Sequence, residues 1–202
     1  MIKKRKDNKK GVSTIVAAVL LILLTISAVV LLLSFIKPFV ENNLKRSTEC
    51  LPYKEYFQFE ERFVNNSGSY NYNCYKSPVS PDTNYLTGIM VKAGTNLSGE
   101  EMKNLKGFVL VFKKDSASES IQVTDGRTVS SSSGGIRILG DPATVTAITI
   151  NKPGEMITYV YDSSNQYKDV EIYPLLKSDR ICDEKSDSIK IKVCSDPGVT
   201  LS

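Results

Sequence analysis

Four cysteines, Cys50, Cys74, Cys182 and Cys194, are the residues best equipped for chemistry in this chain. Their spacings are 24, 108 and 12. A structural zinc site needs tight pairs two to four residues apart, and none is present. An even count in an exported domain reads instead as disulfides. Three connectivities are open. The most local, Cys50–Cys74 with Cys182–Cys194, is the expected one, each loop being worth about 3 kcal/mol in the chain-entropy picture.

The other candidates are weaker. The chain has no histidine, so it lacks the commonest general base and metal ligand, and Ser–His and Cys–His nucleophile pairs with them. Asp179, Asp183, Glu184 and Asp187 form an acidic stretch without EF-hand spacing, which reads as a solvated loop. Glu60 and Glu61 would point to opposite faces of a strand and share no site. Glu100 and Glu101 fit the first turn of a short helix capped by Ser98. No P-loop, nucleophile elbow or dinucleotide fingerprint occurs. These absences point away from an enzyme and from a bound cofactor or metal. Asn65-Asn66-Ser67 and Asn96-Leu97-Ser98 are N-x-S sequons, making Asn65 and Asn96 candidate glycosylation sites.

The elements that carry these residues divide sharply. The chain holds 26 Lys+Arg and 22 Asp+Glu, a net charge of +4. Residues 1–10 carry +5 of it, and residues 12–202 are close to neutral at −1. The body has no basic stripe, which argues against a nucleic-acid partner. Val12 to Ile36 is a run of 25 residues without a charge. As a helix it would span about 37 Å, more than the ~30 Å bilayer core. It shows no polar face, unlike the helix of a soluble core. The basic block before it places residues 1–10 in the cytoplasm and the body outside.

A secretory signal peptide has a shorter apolar stretch and a small-x-small cleavage site, which is missing before Lys37-Pro38. A lipoprotein would need a cysteine at the end of the run, and the first is Cys50. An uncut single-pass anchor remains the plain alternative. Pro38 removes a backbone donor and should kink the helix. Phe39, Val40 and Leu44 extend an amphipathic pattern that Ser47-Thr48 should end.

From Cys50 on, short strand signals follow one another between turn-rich separators. They cover Tyr56–Glu60, Leu86–Lys92, Leu105–Lys113, Ser120–Thr124, Gly135–Leu139, Ala143–Ile150, Met156–Tyr161, Asp169–Tyr173 and Ser188–Cys194. Alternation is clearest in Phe108, Leu110 and Phe112, and in Ile189, Ile191 and Val193. The Ser130–Gly135 run reads as a flexible hairpin tip. The expected fold class is α+β: a long hydrophobic helix followed by a mainly β head, an Ig-like β-sandwich.

The juncture Lys9-Lys10-Gly11-Val12-Ser13-Thr14, leading from the basic block into the apolar run, resembles the class III signal peptide of archaeal type IV pilins and archaellins. The resemblance implies a basic pair at Lys9 and Lys10, cleavage by a prepilin-type peptidase after Gly11, and a new N-terminus at Val12. It implies a leader at 1–11, a membrane and filament-core helix at 12–47, and an extracytoplasmic head at 48–202. Bacterial members usually carry Glu at the fifth mature position, here Val16; archaeal members commonly do not. The head is similar to those of the same family in its strand-and-turn texture. The implied partners are the membrane before assembly, the assembly machinery, and further copies of the chain in a cell-surface filament. The alternative is an uncleaved, membrane-anchored β-sandwich adhesin.

Overall fold

The computed structural model describes residues 14–65, 68–79, 83–115, 117–126, 128–129, 135–140, 146–196 and 198–201. The chain forms two compact units, Met1–Thr48 and Glu49–Ser202.

The first unit is helical. Helix α1 runs from Thr14 to Cys50 and stays continuous through Pro38. Its hydroxyls turn back onto their own backbone: Thr25 donates to the Ile22 carbonyl at 2.8 Å, Ser27 to Leu23 at 2.7 Å and Ser34 to Leu31 at 2.7 Å. The helix does not end at Ser47-Thr48 as expected. Thr48 uses the same device, donating to the Leu44 carbonyl at 2.9 Å, so its hydroxyl bonds back within the helix rather than capping it.

The second unit opens with a 3-10 turn, Leu51–Tyr53. Its strands are β1 (Phe57–Phe59), β2 (Phe63–Asn65), β3 (Gly68–Tyr70), β4 (Cys74–Lys76), β5 (Tyr85–Ala93), β6 (Leu105–Lys114) and β7 (Ala117–Thr124). They continue as β8 (Thr128–Val129), β9 (Ile136–Ile138), β10 (Thr146–Ala147), β11 (Met156–Ser163), β12 (Asp169–Leu176), β13 (Asp187–Lys190) and β14 (Lys192–Val193). A short helix, α2 (Gly99–Asn104), leads into β6. Ser98 caps it: its Oγ accepts from Glu101 N, and the Glu101 carboxylate accepts from Ser98 N. This reciprocal pair is a capping box.

Two larger sheets build the head. In the six-stranded sheet β5 pairs with β11 along its whole length. Its other side is shared between β1 and β4. Strand β9 adds outside β11, and β14 adds to β4 in parallel. The four-stranded sheet has the order β13-β12-β6-β7, all antiparallel. Two small ribbons, β2–β3 and β8–β10, complete the described set.

Alternation decides which side chains enter the core. Phe108, Leu110 and Phe112 of β6 are fully buried and share one cluster with Val170 and Ile172 of β12 and with Ile89, Val91, Tyr159 and Tyr161 of the other sheet. Rings bridge the two sheets: Phe57–Phe108 at 4.7 Å, Phe108–Tyr159 at 5.5 Å and Phe112–Tyr161 at 4.6 Å. Offset and edge-to-face pairs of this kind contribute beyond their buried area.

A second, smaller core lies on the opposite face of the six-stranded sheet. There Cys74, Val160, Val199 and Leu201 are buried together. Gly88 makes this possible. A Cβ at that position would lie 2.3 Å from the Tyr72 carbonyl oxygen and 2.7 Å from Leu201 Cδ2.

Three of the expected strands change. The Ser188–Cys194 strand is two strands, β13 and β14, in different sheets; Ile191 is buried between them while Val193 is 57% exposed. The Tyr56–Glu60 strand shrinks to Phe57–Phe59, so Glu60 and Glu61 lie beyond it. Of Ala143–Ile150 only Thr146–Ala147 is strand, residues 141–145 lying outside the described set.

Candidate assembly helix and disulfide-locked head

Every residue of α1 from Ile15 to Leu44 is exposed. Ile15, Leu24 and Phe35 are each more than 70% accessible, and they do not share one face. The helix is long and apolar enough to cross a membrane, as a span or a signal sequence. In hydrocarbon an unsatisfied polar group costs several kcal/mol. The back-bonded hydroxyls of Thr25, Ser27 and Ser34 therefore matter: they let a threonine and two serines sit inside an apolar surface. Charge returns beyond Ile36, where Lys37 and Glu41 pair at 3.9 Å across one turn.

Lys9, Lys10, Gly11 and Val12, the expected processing juncture, lie outside the described residues. So does Ser67 of the first sequon. The backbone of Asn65 ends β2 opposite Gly68. Asn96 is exposed just before α2, and the hydroxyl of its sequon partner Ser98 is engaged in the capping box. Asn65 thus closes a strand of the β2–β3 ribbon, and Asn96 lies in the loop that leads to the capping box of α2.

The cysteines form disulfides, and the expected local pairing is wrong. Cys50 joins Cys182 with 5.6 Å between Cα atoms, and Cys74 joins Cys194 at 4.9 Å. The physical reason is sheet membership. β13 and β14 lie in different sheets, so the chain leaves the Cys182 region after β13 and carries Cys194 to the β4 edge of the six-stranded sheet. Sheet pairing brings the distant partners together instead. The parallel β4–β14 ladder sets Cys74 opposite Lys192, two residues from Cys194. Cys182 donates its N–H to the Pro174 carbonyl beside the Leu175–Ile181 bridge.

The acidic stretch is dispersed over separate partners. Asp179 pairs with Lys106, Glu184 with Lys54 at 3.2 Å, and Asp187 accepts from Phe59 N at 2.8 Å. Among the described residues no cluster of three His, Cys, Asp or Glu could hold a metal ion.

Two polar clusters were invisible in the sequence. On the outer face of the four-stranded sheet, Glu171 accepts from Lys113 at 2.6 Å, Tyr173 at 2.8 Å and Lys185 at 3.1 Å. Burial opposes its charge, but these three donors outweigh it and hold the carboxyl at about 2. Burial and the Glu171 carboxylate push the Tyr173 phenol up to about 12. At the other edge, Glu119 of β7 accepts from Tyr161 at 2.6 Å and from Tyr167. Burial and this carboxylate raise both phenols. Such tyrosines stay protonated and serve as donors.

A groove of about 550 Å³ lies beside β13 and β14, lined by polar groups including Glu61, Asn71, Ser188 and Lys190. Its most buried polar member, Asn73, is bonded at both ends of its amide: Nδ2 donates to the Glu60 carbonyl and Oδ1 accepts from Met90 N.

No family model, curated protein or solved structure matches the chain.

Proposed function

We propose that this chain is a structural subunit of a cell-surface filament of the archaeal type IV pilus or archaellum kind. It is inserted with its basic leader in the cytoplasm, cut after Gly11, and polymerised through α1. The carrying observation is the helix surface: an apolar stretch from Ile15 to Ile36 exposed on all sides. Such a surface is stable in lipid, or buried against sister helices once extracted. The Lys9-Lys10-Gly11-Val12 juncture supports cleavage ahead of a retained helix. Two sheets sharing one core support reading the head as an Ig-like β-sandwich. Two disulfides support an oxidising compartment outside the membrane.

The same helix also suits an uncleaved anchor displaying the head as an adhesin. Processing separates the two. Gly11→Val and Gly11→Asp should leave the protein in the membrane, uncut and unassembled. Normal filaments from either variant would contradict the proposal.

A further inference from the structure

We propose that Asn96 is an N-glycosylation acceptor that folding closes: the exported chain takes its glycan before the head folds, and the folded head refuses it. The transfer joins Asn96 Nδ2 to the anomeric carbon of a lipid-linked oligosaccharide. The sugar–phosphate C–O bond breaks, and the amide proton ends on the leaving lipid phosphate. An N-x-[ST] acceptor is defined by its third residue as well as its first. The transferring enzyme therefore has to engage the Ser98 hydroxyl together with the Asn96 amide.

Burial is not what closes the site. Asn96 and Ser98 are both exposed, so a glycan attached earlier fits the folded surface. The restraint is on the chain around them. Upstream, Gly94 N donates to the Tyr56 carbonyl at 2.6 Å, and the Gly94 carbonyl accepts from Gly154 N at 3.3 Å. A Cβ at Gly94 would lie 2.7 Å from Asn96 Oδ1, so the Asn96 amide lies back against this anchored residue. Leu97, the middle residue of the sequon, packs against the main core.

Ser98 is held by its N–H, its hydroxyl and its carbonyl. The N–H donates to the Glu101 carboxylate at 2.7 Å, the hydroxyl accepts from Glu101 N at 3.4 Å, and the carbonyl accepts from Met102 N at 2.9 Å. To enter an enzyme cleft, the sequon would have to leave the head, break the capping box and expose Leu97. In the unfolded chain none of these restraints exists. Occupancy at Asn96 is then set by a race between transfer and folding. The inference needs only that the head is exported; it is independent of cleavage at Gly11 and of filament assembly.

The test uses the full-length protein in detergent, a lipid-linked oligosaccharide and a single-subunit oligosaccharyltransferase that accepts plain N-x-S sequons. A flexible tail bearing one such sequon, appended after Ser202, is the internal standard. Mass spectrometry of the tryptic peptide 93–103 reads Asn96. The native protein with both disulfides intact is compared with the same protein unfolded, reduced and alkylated. The tail should be modified in both, and Asn96 only in the unfolded chain. Leu97→Ala with Glu101→Ala releases two of the anchors and should raise modification of the folded protein about tenfold. Peptide mapping confirms that this variant keeps both native disulfides. Asn96 modified as readily as the tail in the folded wild type would overturn the proposal. So would an unfolded chain modified on the tail and not at Asn96, or a folded double variant as closed as wild type.

Discussion

Cys50, the last residue of α1, is bonded to Cys182 across 132 residues of sequence. Cys74 and Cys194 close a second loop, 120 residues apart. Cross-links over such loops restrict the unfolded chain more than local ones would. The chain-entropy model gives roughly 4–5 kcal/mol for one loop of this size. Reduction, or Cys74→Ser with Cys194→Ser, should therefore lower the unfolding free energy of the head by several kcal/mol. Denaturant titration of the oxidised and reduced protein checks this. Identical midpoints would contradict it.

Glu171 predicts an acid-labile element. Its folded carboxyl titrates near 2 and its ordinary value is 4.5. A depressed carboxyl contributes its full stability above 4.5 and loses it as pH falls toward 2. Glu171→Gln should destabilise the head at pH 7 by roughly 1–2 kcal/mol, because the lysine partners are half-exposed and screened. The difference from wild type should shrink between pH 4.5 and 2. Thermal melts across that range decide it; a constant difference would remove the ion cluster from the explanation.

Gly88→Ala should destabilise by about 1–3 kcal/mol, since its methyl would meet the Tyr72 carbonyl and Leu201. Hydrogen exchange should show the loss concentrated near Val199 and Leu201, which pack there.

Leu23→Arg tests the helix. Leu23 is 55% exposed within α1, and a charge at mid-membrane costs a few kcal/mol. Membrane insertion and filament yield should both fall. Wild-type yield would show that this stretch is not the buried core of an assembly.

The sequence made the local structure readable where one residue pattern governs it. The apolar run, the Ser98 cap and the Phe108–Phe112 alternation all correspond to observed elements. β4 escaped because its three residues are too few to show a period. The disulfide pairing escaped because it depends on the parallel β4–β14 ladder, a contact between segments more than 110 residues apart. The Glu171 and Glu119 clusters likewise exist only once β6, β7, β11 and β12 are in register.

The proposed filament role requires that α1 is retained and the basic leader removed. Mass spectrometry of the N-terminal peptide of the protein recovered from cell envelopes tests it directly. Removal of the leader ahead of a retained α1 gives a chain starting at Val12. A chain that keeps Met1 and the Lys9-Lys10-Gly11 leader would contradict it and leave an uncleaved anchor.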